Sequence, residues 1–232
     1  MIETSYFNIL LKDSTSMDCY VATHEGVGPR PGIIVLQEAY GVNHHIRNIT
    51  ERLANEGFLA IAPELFHRTA PKGFEAPYGD MPAVMPHMQA LTEDTLAVDM
   101  DGAFDWLKSR SNVGKIAAIG FCLGGRAAFI ANLKLPLAAA VSFYGGGISK
   151  FVDRVSKLHA AQLLVWGGLD KHIPHEQIEA IVAALKAANK PYVNAEFSYA
   201  DHGFNCDERA SYNPEAAREA WALAMAFIKN RV

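Results

Sequence analysis

Six short runs, mostly apolar and most of them without a polar face, recur between stretches of helical pattern: Gly32 to Gln37, Phe58 to Ala62, Lys115 to Ile119, Ala138 to Phe143, Gln162 to Trp166 and Tyr192 to Tyr199. A strand that is apolar on both faces must be covered on both, which is the condition of a parallel strand between two layers of helices. The covering helices are expected at His45 to Glu56, Thr92 to Ser109, Gly124 to Asn132, His175 to Ala188 and Pro214 to Lys229. Ahead of them, apolar and polar residues alternate around Tyr6 to Leu10 and again from Met17 to Ala22, with Lys12-Asp13-Ser14 between. That pattern predicts an antiparallel hairpin. The order describes an α/β protein with a mostly parallel, doubly wound sheet and an N-terminal antiparallel hairpin. With 232 residues, 50% of them hydrophobic, and no repeat or low-complexity linker, residues 1–232 are expected to form one domain.

One segment breaks the rhythm. Glu64 to Ala90 holds Pro71, Pro77, Pro82 and Pro86 among Phe66, Phe74 and Tyr78; it reads as a long irregular loop, either a lid over a binding site or a packed surface excursion. Charge narrows the partners: 21 Lys and Arg against 25 Asp and Glu give a net charge of −4. No basic block stands out, so nucleic acid is not expected. Met1 to Leu11 lack the basic start and apolar run of an export signal, and no window has the apolar length of a membrane span. A soluble, cytoplasmic protein with no membrane partner is therefore expected. Cys19, Cys122 and Cys206 cannot all pair with one another and are expected as free thiols. Monomer and dimer are equally compatible with the sequence.

The most informative string is Gly120-Phe121-Cys122-Leu123-Gly124-Gly125, between a strand pattern and a helix pattern. It is a G-x-S-x-G nucleophile elbow with cysteine in place of serine. A side chain there is presented on a tight strand-to-helix turn, and the unpaired N–H groups and dipole of the helix N-terminus favour a thiolate. The spacing excludes the glycine patterns of dinucleotide and phosphate loops. In the α/β-hydrolase fold the partners follow in the order nucleophile, acid, histidine, at the ends of later strands. Asp170 stands just past the run ending at Trp166, and His202 just past the run ending at Tyr199. Alone, Asp170 reads equally as a helix N-cap and His202 as an ordinary loop residue; with the elbow, and in this order, they read as acid and base. His44-His45 and His172-x-x-His175 have no carboxylate or cysteine to complete a tetrahedral set, so neither a metal nor another cofactor is expected. Asp99, Asp101 and Asp105 read as solvated charges on a helix face.

Five strings together resemble the dienelactone hydrolase family over nearly the whole chain. They are Gln37-Glu38-Ala39-Tyr40-Gly41, Ala62-Pro63-Glu64-Leu65-Phe66, the elbow, Phe143-Tyr144-Gly145 and Asp201-His202-Gly203-Phe204. The resemblance implies an α/β-hydrolase fold and a Cys122-His202-Asp170 triad. It also implies an oxyanion hole of the Ala39 and Leu123 N–H groups, and Glu38 as a carboxylate that takes the thiol proton. Tyr40, Tyr144, Phe204 and Arg209 are the candidate substrate contacts. The family pattern for dienelactone has two arginines gripping the substrate carboxylate, one of them before the long helix that precedes the elbow. No arginine stands between Arg68 and Arg110. That departure predicts small, fairly apolar esters or lactones as substrates.

The expected function is hydrolysis of small esters or lactones through a thioester acyl-enzyme. Two other classes use similar parts. A thiol redox or peroxide sensor would also need a low-pKa cysteine at a helix start, but no C-x-x-C is present. A non-catalytic binder of small ligands on the same fold would have no use for all three triad positions.

Overall fold

The computed structural model describes residues 1–26 and 28–232. Their contacts divide the chain into two compact units, Met1–Ala117 and Ala118–Val232.

In the first unit β1 (Ile2–Leu10) and β2 (Ser16–His24) form the hairpin, antiparallel throughout, with Phe7 opposite Cys19. Its turn is set by Asp13, whose carboxylate accepts the Thr15 N–H at 3.1 Å and the Thr15 hydroxyl at 2.6 Å. β3 (Arg30–Leu36) and β4 (Leu59–Pro63) are parallel to each other, and β2 runs antiparallel to β4. The strand order is β1-β2-β4-β3, followed by β5 (Val113–Phe121), which begins in this unit and ends in the second. Ile33 to Leu36 and Ala60 to Ala62 are all fully buried, which is why these runs show no alternation. The helices α1 (His44–Asn55) and α3 (Glu93–Lys108) follow the expected spans to within a residue. Asn43 caps α1 through the Ile46 N–H, and Thr92 with Thr95 forms a capping box on α3.

Two expectations fail in this unit. The segment from Glu64 to Ala90 is not irregular throughout: its last ten residues form α2 (Met81–Ala90), capped by Asp80. Proline is compatible with a first helical turn because its missing N–H would have no intrahelical partner there, and Pro82 sits in that turn. The rest of the segment is tied down by polar contacts. The Tyr40 hydroxyl accepts the Gly79 N–H at 3.2 Å, Asn43 donates to the Tyr78 hydroxyl at 2.9 Å, and Lys72 pairs with Asp18 at 2.9 Å. Asp99 is likewise not a solvated helix-face charge. It is fully buried, and Arg68 and His67 reach it at 2.8 and 3.1 Å. A carboxylate can be buried there because the Arg68 guanidinium pairs with it and both partners hydrogen-bond to it.

In the second unit the end of β5 is followed by α4 (Leu123–Lys134), β6 (Ala139–Phe143), a 3-10 helix at Ile148–Lys157, β7 (Ala161–Gly167), α5 (His175–Ala187), β8 (Tyr192–Phe197) and α6 (Pro214–Lys229). Strand order is β5-β6-β7-β8, with β6, β7 and β8 parallel; Val141 faces Leu163 and Val165 faces Ala195. The 3-10 helix was not foreseen from the sequence. Parallel strands put all their carboxyl ends on one edge of the sheet, where the loops that carry chemistry collect. No helix among the described residues is long and apolar enough to cross a membrane.

Candidate active site

Cys122 occupies the single residue between β5 and α4, with φ 54° and ψ −113°. A non-glycine residue in this region is strained, and strain of this kind persists only where the surroundings impose it. Here the main chain does so. The Cys122 N–H donates to the Phe143 carbonyl at 3.0 Å, and its own carbonyl accepts the Gly125 N–H at 3.0 Å. The flanking glycines leave the room this requires. A Cβ on Gly120 would collide with the Gly124 carbonyl, and one on Gly125 would stand 2.5 Å from the Phe143 oxygen. Leu123 opens α4, and the first N–H groups of a helix have no intrahelical acceptor. Cys122 is partly exposed, whereas Cys19 and Cys206 are buried.

Asp170 and His202 are brought together by the loops after β7 and β8, which are stitched to each other. The Gly168 N–H donates to the Phe197 carbonyl at 2.8 Å and the Leu169 N–H to the Ala200 carbonyl at 2.9 Å. Asp170 Oδ2 then lies 2.6 Å from His202 Nδ1, while its Oδ1 accepts the His172 N–H at 2.8 Å. The pair is nearly dry, with the two side chains 2% and 12% exposed, so the interaction is little screened. Burial works against the imidazolium, but hydrogen bonds to Asp170 and Cys122, with their charges, push His202 up to about 10.

The remaining candidates are placed unevenly. Tyr144 and Phe204 are fully buried, in contact with Phe143; the Tyr144 ring lies 5.1 Å from that of His202 and 5.5 Å from that of Phe204. Both back the histidine and offer a substrate no open surface. Arg209 lies against Gly203, where an added Cβ would meet its Cζ at 2.5 Å, so its guanidinium sits one residue beyond the histidine. In the first unit Glu38 is fully buried and Ala39 nearly so. Tyr40 is packed beneath α2 with its hydroxyl already bonded to Gly79. The sequence reading weighed His172 only as a metal ligand, whereas its ring packs edge-on to His202 at 5.4 Å, and it passed over Arg126 in α4.

A thiol on a strand-to-helix elbow, followed in the chain by a hydrogen-bonded aspartate and histidine on the loops of a parallel sheet, is the order of an α/β hydrolase. The profile of the dienelactone hydrolase family matches residues 17–232. An inferred carboxymethylenebutenolidase of Escherichia coli K12 is 36% identical over 213 residues, covering 87% of this chain and 78% of its own. One from Synechocystis is 36% identical over 216 residues, covering 87% of each. A crystal structure of an inferred dienelactone hydrolase from Klebsiella pneumoniae superposes with a TM-score of 0.91 at 33% identity, over 99% of both chains. The chain belongs to the dienelactone hydrolase family, and it is a hydrolase of the ester or lactone type.

Proposed function

We propose that the protein hydrolyses small esters or lactones through a thioester acyl-enzyme formed on Cys122. The observation that carries this reading is the dry 2.6 Å contact between His202 and Asp170, on the loops that follow the elbow bearing Cys122. A ring held so keeps its Nε2 free to serve the reaction, and its imidazolium form is stabilised by the carboxylate behind it.

As substrate displaces the resting arrangement, Cys122 Sγ loses its proton to Glu38, as the family resemblance implies, and the thiolate, beside the His202 imidazolium, attacks the substrate carbonyl carbon. The negative charge that develops on the carbonyl oxygen is met by the N–H of Leu123 and, as the family resemblance implies, that of Ala39. Collapse of the tetrahedral intermediate breaks the bond to the alkoxy oxygen, which takes the proton from His202. In a lactone the departing hydroxyl stays on the acyl chain. Water then attacks the thioester, His202 takes a proton from it, and the free thiol and the carboxylic acid are restored. Glu38, by the same resemblance, holds the thiol in its resting state before substrate arrives and returns the proton to it at the end of the cycle. Small-molecule esters or lactones are the sole partner this chemistry needs.

Stopped-flow hydrolysis of a chromogenic aryl acetate tests the reading. A burst of phenolate equal to the enzyme concentration, followed by steady turnover and abolished in Cys122→Ala, is the expected result. Turnover in Cys122→Ala, or a single stoichiometric burst without turnover, would reject it.

A further inference from the structure

Arg126 lies four residues beyond Cys122 on α4, its N–H donating to the Cys122 carbonyl at 3.3 Å. Its side chain runs toward the loop after β6, Nη1 lying 3.3 Å and Cδ 3.5 Å from the place a Cβ on Gly147 would take. Gly146 and Gly147 are partly exposed. The guanidinium therefore faces a stretch of chain without side chains, which leaves it an opening to solvent.

Burial works against the charge of Arg126, and the Cys122 sulfur is the one group that favours it. Among the described residues no side chain hydrogen-bonds or ion-pairs with this guanidinium. The other half-buried arginines are all engaged. Arg47 and Arg68 hold carboxylates, Arg30 holds a hydroxyl and a carbonyl, Arg154 and Arg231 lie over aromatic rings, and Arg209 also has a partner. A half-buried charge left unpaired costs free energy, and a fold keeps such a group where a ligand completes it.

We propose that Arg126 is a specificity-determining residue that pairs with a carboxylate carried by the substrate beside its scissile ester or lactone bond. A planar guanidinium matches a carboxylate through two parallel hydrogen bonds, which an ammonium or a neutral amide cannot reproduce. The inference rests on Cys122 being the nucleophile, and it replaces the apolar substrate expected from the gap between Arg68 and Arg110. The cation is present, but it comes from the helix after the nucleophile.

The experiment compares the 4-nitrophenyl monoester of glutaric acid with its methyl ester in the parent, Arg126→Gln and Arg126→Lys. The ratio of kcat/KM, acid over methyl ester, should fall about 10- to 100-fold in Arg126→Gln, the loss of a charged hydrogen-bond pair, and recover in part in Arg126→Lys. Iodoacetate and iodoacetamide, which differ in carrying a carboxylate or an amide, supply a second ratio from the rate of Cys122 alkylation. That ratio too should fall in Arg126→Gln, and it needs no turnover. Equal losses on both members of each pair would leave the ratios unchanged and overturn the proposal, by showing that Arg126 acts on the thiol or on the fold. If the parent hydrolysed neither ester, the esterase reading would fail and the alkylation ratio alone would judge Arg126.

Discussion

Replacing Asp170 with Asn should damage the reaction by more than the loss of a charge, because the two oxygens of Asp170 have different partners. Oδ1 accepts the His172 N–H at 2.8 Å, and Oδ2 faces His202 Nδ1 at 2.6 Å. In Asp170→Asn the one remaining oxygen satisfies the main-chain donor, which leaves the amide NH2 pointing at the histidine. His202 must then accept at Nδ1 and carry its proton on Nε2, the nitrogen that should take the proton of the attacking water. Losing a charge-assisted hydrogen bond costs about 1.5–3 kcal/mol, which is roughly 10- to 150-fold in rate. Holding the wrong tautomer raises the total toward about 10^4-fold. The assay is kcat/KM for an aryl acetate at pH 7, with the urea midpoint measured on the same preparation to establish that the variant is folded. A folded Asp170→Asn retaining more than a tenth of the parent kcat/KM would refute the tautomer argument.

Iodoacetamide should alkylate Cys122 alone in the folded protein, since Cys19 and Cys206 are buried, and burial with the charges of Glu64, Asp18 and Asp99 pushes the Cys19 thiol up. Peptide mass mapping that found Cys19 labelled before unfolding would contradict this. His202 is raised from 6.5 to about 10, so its contribution to stability is complete below about pH 6.5 and is lost as pH rises through about 10. The urea-midpoint advantage of the parent over His202→Gln should accordingly shrink between pH 7 and pH 10; a constant or widening gap would show that the pair is not charged as described. Gly125→Ala should cost about 1–3 kcal/mol and most of the activity, because the new Cβ meets the Phe143 oxygen at 2.5 Å and the Gly145 Cα at 2.9 Å, neither of which a rotamer change can move. An unchanged urea midpoint would argue against that crowding.

The parts that could be read from the sequence were those whose cause is local. β4 announces itself as an unbroken apolar run because both its faces are buried, and α6 is found at its bounds because Asn213 and Pro214 mark its start. Cys122, Asp170 and His202 were legible because each lies at a strand end, in an order that topology dictates. What escaped depended on distant contacts. Asp99 looked like surface charge because its partner Arg68 lies 31 residues away, and α2 was hidden by Pro82, which is permitted only in view of where the helix begins, and by Pro86 within it. The burial of Tyr40 and Phe204 was equally invisible, since aromatic residues beside glycines read as well for contact as for core. Arg126 stood in plain sight, next to the elbow motif. Its isolation is a property of space, and no spacing rule detects a missing partner.

The crowding around the elbow bears on how sequences of this kind descend. Each neighbour that a side chain at Gly120 or Gly125 would strike is main chain, and the Cys122 turn is held by main-chain hydrogen bonds. Selection for a stable fold would therefore preserve those glycines in a lineage that had lost its chemistry altogether. Asp170 and His202 are under no such compulsion, because their 2.6 Å contact draws two loops together without filling a gap that only those residues fit. Among diverging copies of this chain, the histidine and the aspartate should be the first positions to drift once hydrolysis ceases to matter, while the glycine signature outlives the activity it once served.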